Sequence, residues 1–81
     1  MQIVLIKLDS LSSNGFFLMV EGARIDMAHH KNWAGRSLNE TAAFDDAISQ
    51  ALKMVDVTND TLVIVTADHS HSLIFTGYTG K

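Results

Sequence analysis

The chain has 81 residues, of which 47% are hydrophobic, with no cysteine and a formal net charge of -3. This length allows one small domain with a thin core, which no disulfide can reinforce. No apolar run approaches the roughly 20 residues of a membrane helix, and no basic stretch precedes the apolar N-terminal residues as it does in a secretory signal. Six Lys and Arg residues against nine Asp and Glu residues, without a basic cluster, exclude a typical nucleic-acid-binding protein.

Three stretches of the chain are candidates for strands. Residues 16–20 and 61–67 are continuous apolar runs flanked by turn signals, which predicts strands covered on both faces in a parallel sheet. The first 13 residues are ambiguous. Val4, Leu8 and Leu11 suit one face of a helix, whereas residues 3–6 also suit a strand.

One amphipathic helix is predicted between these two strands. Phe44 and Ile48 recur at helical spacing, and residues 37–40 have the form of a capping box in which the Ser37 hydroxyl would accept a backbone N–H. We therefore expect a helix over residues 38–56. Strand, helix and strand make a βαβ unit of an α/β fold, whose two strands should run parallel with a right-handed crossover. Ligands of such sheets gather beyond the carboxyl ends of the strands.

Acidic and histidine side chains are concentrated just past the two predicted strand ends. They are Glu21, Asp26, His29 and His30 after the first strand and Asp68, His69 and His71 after the second. So many carboxylates and imidazoles would make an unfavourable core, because desolvated like charges repel each other. Divalent cations would resolve the conflict, since Asp and neutral His are good zinc ligands and a catalytic zinc takes about three protein ligands.

The spacing of these residues supports a metal site. Asp26 and His30 are four residues apart, so on a helical turn they would share a face and could chelate one ion. Asp68 and His69 can converge on one ion only where the chain turns at a strand end, which is where they lie. Glu21, an oxygen donor, would suit a harder ion such as magnesium.

Simpler roles stay open for several residues. The Asp-x3-His spacing is a weak signal on its own, and His29 would point away from His30, towards packing or the surface. His71 is a candidate for orienting a metal ligand rather than for binding the ion itself. Ser70 suits loop geometry better than a nucleophile.

Two motifs resemble the alkaline phosphatase family. They are Glu21-Gly22-Ala23-Arg24-Ile25-Asp26-Met27-Ala28-His29-His30 and Thr66-Ala67-Asp68-His69-Ser70-His71, and their order and spacing also match. The resemblance covers about residues 14–78. It implies that the chain is a βαβ section of a larger fold, in which a central, mostly parallel sheet is sandwiched by helices. Residues 1–81 would then be a partial alkaline phosphatase domain without a complete second domain.

The resemblance also implies metal ligands. Glu21 would bind one magnesium ion, Asp26 and His30 one zinc ion, and Asp68 and His69 a second zinc ion. His71 would be an outer partner near the first zinc. The family hydrolyses phosphate monoesters through a serine nucleophile held at one zinc, and water on the other zinc then attacks the phosphoseryl intermediate. Two ions about 4 Å apart lower the pKa of the attacking group and stabilise the leaving group.

The chain departs from the family in what it lacks. The nucleophilic serine with its Asp-Ser-Ala context, the aspartate that bridges zinc and magnesium, the phosphate-binding arginine and a third zinc-site histidine have no counterpart in these 81 residues. The chain is therefore expected to contain no catalytic residue and to be inactive alone. Met27 stands where many members carry a histidine or lysine close to the magnesium shell. Arg24 and Arg36 suit surface or interface roles better than phosphate binding.

Two hypotheses about function follow. The chain is part of a metal-dependent phosphomonoesterase, or it is a non-catalytic metal-binding or interaction fragment. The first is favoured, because one main helix cannot cover both faces of the predicted sheet. Continuous coding sequence that supplies the missing motifs on either side would exclude the second.

Location and partners follow from the resemblance alone. By family, the parent would be a homodimer at the outer cell surface, held by a lipid anchor that this chain does not encode, and it would act on phosphate monoesters rather than on nucleic acid. Asn39-Glu40-Thr41 and Asn59-Asp60-Thr61 fit the N-glycosylation pattern, which lends slight support to an extracytoplasmic parent.

Overall fold

The computed structural model describes residues 2–7, 14–74 and 77. Its elements are, in chain order, strand β1 (Gln2–Lys7), strand β2 (Phe16–Glu21), helix α1 (Ala23–His30), helix α2 (Ala34–Met54) and strand β3 (Thr61–Thr66). The fold is mixed α/β, as the sequence predicts. Neither helix of the described part is long and apolar enough to cross a membrane.

The three strands form one sheet in the order β2-β1-β3. Strand β1 is antiparallel to both neighbours, with Leu5 opposite Leu18 of β2 and Val63 of β3. Strands β2 and β3 therefore run in the same direction, as predicted, but they do not pair with each other. The N-terminal residues explain the difference, because residues 2–7 form a strand that pairs with the backbones of both outer strands. Leu8 and Leu11 of the alternative helix lie outside the described residues.

Helix α2 spans Ala34–Met54 rather than residues 38–56, and the predicted capping box is wrong. Ser37 lies inside the first turn and is 2% exposed. Its N–H donates to the Trp33 carbonyl at 2.9 Å, and its hydroxyl oxygen has no hydrogen-bond partner within the described ranges. The helix starts early because the chain turns at Asn32, whose φ is 53°, so that Trp33 already occupies the N-cap position.

The core is small and centres on the two helices. Ile25 of α1 and Phe44 of α2 are buried, and Ile48, Ala51 and Val63 pack against them. Val63 is the strand residue of this cluster among the described side chains. The core therefore joins α1 to α2 and holds the pair against β3.

Most apolar side chains of β2 and β3 are exposed. Every side chain of β2 is exposed, and β3 carries one buried residue, Thr61, at its start. Both strands are therefore largely uncovered within the described residues, as expected for a section whose main helix cannot cover both faces of its sheet. Phe17 is 66% exposed and Leu62 is 56% exposed, because the two helices pack chiefly on each other.

Gly22 joins β2 to α1 at the point where the core comes closest to the backbone. A Cβ atom at this position would lie 2.5 Å from Cδ2 and 3.0 Å from Cε2 of Phe44. Since Phe44 is only 7% exposed and sits at the centre of the core, its ring has little space into which it can move. The absence of a side chain at residue 22 thus sets how closely α2 approaches the start of α1.

The variant Gly22→Ala should lower the free energy of unfolding by about 1 to 3 kcal/mol, as overpacking of a core does. Gly35→Ala is the matched control, because a Cβ there meets nothing within 4 Å. Alanine at that helical position should leave stability unchanged or raise it by up to about 1 kcal/mol. Urea unfolding followed by far-UV circular dichroism measures both variants. A Gly22→Ala midpoint equal to that of the wild type would contradict the packing.

Candidate metal centre

Helix α1 places Asp26 and His30 on one face, immediately beyond the end of β2. The His30 Nε2 atom lies 3.2 Å from Asp26 Oδ2. Residues four apart on a helix are neighbours, so this pairing is a local consequence of the sequence spacing. The expectation that the two side chains share a helical face is confirmed.

The segment that follows β3 brings a second set of ligand types to the same place. The His69 Nε2 atom lies 3.3 Å from Asp68 Oδ2 and 3.5 Å from Asp26 Oδ1. The His71 Nε2 atom lies 3.4 Å from Asp26 Oδ1. Because β2 and β3 run in the same direction, their carboxyl ends lie at one edge of the sheet, and the predicted meeting of the two motifs is observed.

Asp26, His30 and His71 form a group that could hold a metal ion. Each offers one ligand atom, and these atoms all lie within 4.8 Å of one another. His71 joins His69 beside Asp26 from the segment after β3, which forms no helix or strand. His71 is also the better covered of the two, with a side chain 16% exposed against 55% for His69.

Two clefts border this cluster. One, of about 260 Å³, is lined by Ile25, Asp26, His29, Thr41, Ala67, Asp68, His69 and His71. The other, of about 550 Å³, is lined by Glu21, Ala23, Asp26, Met27, His30, Lys31, Asp68 and His69. Asp26, Asp68 and His69 line both clefts and so stand between them. Glu21 faces the second cleft but lies outside the triad of Asp26, His30 and His71.

The tautomers of two histidines follow from their backbone contacts. Nδ1 of His69 lies 2.8 Å from the Ser70 carbonyl, and Nδ1 of His71 lies 3.0 Å from the Ser72 carbonyl. A carbonyl only accepts, so each Nδ1 carries the proton. In a neutral ring, Nε2 then presents a lone pair. Both Nε2 atoms face carboxylate oxygens, which also present lone pairs, so either an extra proton or a cation is needed between them.

The Asp26 carboxylate also lacks, among the described residues, a hydrogen-bond donor at one of its oxygens. Its Oδ1 atom is buried and has no hydrogen-bond partner within the described ranges, although the Nε2 atoms of His69 and His71 are close. A buried carboxylate oxygen without a partner is costly. A divalent cation would satisfy Oδ1 and the imidazole lone pairs together, and metal-binding histidines characteristically donate their other ring N–H to a carbonyl, as these do. The donor set therefore fits a metal ion.

His29 has a different environment from His30. Its Nδ1 donates to the Ile25 carbonyl at 2.6 Å, and its ring centroid lies 5.2 Å from that of His71. The ring of His30 lies 4.4 Å from that of His71 in an edge-to-face arrangement. The two neighbouring histidines of α1 thus both contact His71, which the sequence spacing alone did not indicate.

Asp68 and His69 titrate away from their ordinary values. The Ser70 carbonyl raises the pKa of His69, and the nearby carboxylates of Asp68 and Asp26 raise it further. The pKa of Asp68 is lowered, first by its own backbone N–H and then by His69. The pair therefore favours imidazolium beside carboxylate when no metal is bound.

Comparison with known proteins places the chain in a family. The chain matches the alkaline phosphatase family over residues 1–81. It is 51% identical over 78 residues to the tissue-nonspecific alkaline phosphatase of Felis catus, covering 96% of this chain and 15% of that protein. It is 47% identical over 81 residues to the tissue-nonspecific alkaline phosphatase of Homo sapiens, covering 100% of this chain and 15% of that protein. It is 46% identical over 78 residues to a membrane-bound alkaline phosphatase of Bombyx mori, covering 96% of this chain and 14% of that protein.

The chain therefore belongs to the alkaline phosphatase family, as its two motifs indicate. The match extends beyond residues 14–78 to the whole chain. The chain spans about 15% of the length of the first of these relatives. No solved structure matches it significantly.

In the metal-free chain, with a chelator present, the pKa of His69 should lie above its ordinary value of about 6.5. Asp68→Asn should bring it back towards that value, whereas Asp45→Asn on the exposed face of α2 should not. Imidazole NMR signals followed against pH measure this shift. Since the folded pKa of His69 is raised, its small contribution to stability is present below about pH 6.5 and lost as pH rises through the folded pKa. An unchanged His69 pKa in Asp68→Asn would contradict the assigned contact.

Proposed function

We propose that this chain is part of a phosphomonoesterase, an alkaline phosphatase that hydrolyses phosphate monoesters with two zinc ions and one magnesium ion. The observation that carries the proposal is the position of the Asp26 carboxylate, which has three imidazole Nε2 atoms within 3.2 to 3.5 Å. Family membership supplies the reaction class.

Each ion is assigned to residues of matching chemistry. Asp26 and His30 would hold one zinc ion, and Asp68 and His69 the other, because zinc takes carboxylate oxygen and neutral imidazole nitrogen. Glu21, which lines the second cleft, would hold magnesium, which prefers oxygen ligands.

His71 is assigned as an outer partner beside the zinc ion that Asp26 and His30 would hold. Its Nε2 lies 3.4 Å from Oδ1, its Nδ1 is held by the Ser72 carbonyl, and its side chain is only 16% exposed. A covered imidazole fixed at one nitrogen suits the task of holding a ligand in place. One ring nitrogen of His71 lies within 4.8 Å of the ligand atoms of Asp26 and His30, so His71 would also be within reach of the same ion.

The bound ions would supply Lewis acidity and a lowered pKa at the attacking oxygen. The residues of this chain have a separate task. Asp26 and Asp68 supply negative charge that balances the ions, while the backbone contacts of His69 and His71 keep the Nε2 lone pairs directed into the cluster.

Phosphate recognition and nucleophilic attack are assigned to residues outside these 81. These 81 residues contain no Asp-Ser-Ala motif. Arg36 lies against the Trp33 ring, with Cζ 5.2 Å from its centroid, which supports a surface role rather than phosphate binding. The chain would thus contribute metal ligands and no nucleophile.

We assign the chain to a larger domain with a mostly parallel sheet covered by helices on both faces. The exposed apolar side chains of β2 and β3 support this assignment, since exposed faces of this kind need covering in a stable domain. The short span relative to family members agrees with it.

The location proposed for the parent is the outer cell surface, as a lipid-anchored homodimer. One similar protein, from Bombyx mori, is named membrane-bound. Both N-glycosylation patterns lie at exposed asparagines, Asn39 within α2 and Asn59 in the turn before β3. Exposure is compatible with modification in a secreted protein.

Removing the central ligand should abolish tight zinc binding. Asp26→Asn and His30→Ala should each weaken Zn²⁺ affinity by more than about tenfold, because even partners of metal ligands contribute roughly 10- to 100-fold. His71→Ala should weaken it less than His30→Ala does. Asp45→Asn is the carboxylate control and should bind as the wild type. Isothermal titration calorimetry gives the affinities, and equal values for Asp26→Asn and Asp45→Asn would overturn the assigned site.

The 81-residue chain should not hydrolyse an aryl phosphate, even with zinc and magnesium added, because it has no nucleophile of the family type. A full-length alkaline phosphatase assayed under the same conditions is the positive control. Turnover that copurifies with the chain and disappears in Asp68→Ala would contradict this expectation. Zinc binding without turnover is also what the alternative, a non-catalytic metal-binding fragment, predicts, so the coding sequence on either side decides between them.

A further inference from the structure

Asn32 links two distant parts of the chain through its side chain. Its Nδ2 donates to the Ile74 carbonyl at 2.6 Å, and its Oδ1 accepts from the Ile74 N–H at 3.0 Å. A side-chain amide thereby satisfies both backbone groups of a residue 42 positions away. We name this pair of hydrogen bonds the Asn32–Ile74 clamp.

The backbone at Asn32 is shaped to present its side chain there. Asn32 has a φ of 53°, a left-handed conformation that asparagine tolerates better than most residues. Its N–H donates to the His29 carbonyl, and the next N–H, of Trp33, donates to the Ala28 carbonyl, each at 2.9 Å. The turn is therefore tied to the end of α1, the helix that carries Asp26 and His30.

The other end of the clamp lies just beyond the second motif. After β3 ends at Thr66, residues 67–74 form no helix or strand. The sheet holds this segment at one end, and the clamp holds it at Ile74. His71 lies between these two anchors, beside Asp26 and the rings of His29 and His30.

We infer that Asn32 is a positioning residue for the metal centre. The clamp holds the segment after β3 against α1, so that His69 and His71 already face Asp26 before an ion arrives. The inference rests on the proposed function for its metal-binding consequence. The clamp itself is independent of that function, since it joins a turn to a backbone and touches no ligand atom.

Asn32→Gly is the sharpest test. Glycine accepts a positive φ, so the turn is retained while both hydrogen bonds of the clamp are removed. In the 81-residue chain without metal, the Ile74 amide should exchange with solvent at least about tenfold faster, given that two hydrogen bonds of ordinary strength are lost. The imidazole NMR signals of His71 should shift towards those of an exposed histidine.

The same variant should bind metal less tightly. We expect Co²⁺ affinity, followed through the visible spectrum of the bound ion, to fall by roughly tenfold, which corresponds to about 1.4 kcal/mol. Asn32→Asp keeps the acceptor for the Ile74 N–H but loses the donor to the Ile74 carbonyl. Its Co²⁺ affinity should lie between those of the wild type and Asn32→Gly. Asn59→Gly is the control, because Asn59 also lies in a turn and bonds a side chain, Asp56, away from the cluster.

The possible outcomes distinguish the positioning role of Asn32 from the proposed metal binding. Unchanged Ile74 exchange and unchanged His71 signals in Asn32→Gly would overturn the positioning role. Unchanged Co²⁺ affinity despite faster Ile74 exchange would also overturn it, because the clamp would then not organise the site. If the wild-type chain takes up no Co²⁺, the proposed metal function fails, while Ile74 exchange and the His71 signals still decide whether Asn32 holds the segment in place.

Discussion

The Asp26 carboxylate is the point on which the site depends. Imidazole Nε2 atoms approach it from its own helix and from the segment after β3, and its Oδ1 has no hydrogen-bond partner within the described residues. Two of these imidazoles contact carbonyls through Nδ1, so in the neutral rings the Nε2 lone pairs face carboxylate oxygens. Such a cluster is electrostatically incomplete by itself. A divalent cation would complete it with the donor types present.

The sheet makes this meeting possible. Strands β2 and β3 lie on either side of β1 and run in the same direction, so the chain leaves both of them at one edge. Helix α1 follows β2 directly, and Gly22 between them has no side chain, which allows the Phe44 ring to pack close to the backbone there. The site is consequently supported by a small core of helix contacts, while most apolar side chains of β2 and β3 are exposed. This combination agrees with a chain that spans about 15% of a longer relative.

Patterns of residues close together in the sequence predicted the structure that interactions between neighbouring residues control. The two apolar runs are strands, Phe44 and Ile48 lie in a helix, and the spacing of Asp26 and His30 places them on one helical face. The capping box at Ser37 failed because the turn at Asn32 started α2 one helical turn earlier, which buried the serine instead. The cover predicted for both strands is absent from the described residues, because burial depends on which elements lie across the sheet, and a strand's own residues do not specify that.

The sequence by itself determined the ligand types, their spacing and the family, because these are properties of residues near one another in the chain. Tertiary structure decided how the two motifs meet. It placed β1 between the outer strands, aimed His71 at Asp26, and joined Asn32 to Ile74 across 42 residues. No periodicity or spacing encodes such contacts, because they form only when the folded backbone brings both partners to the same edge of the sheet.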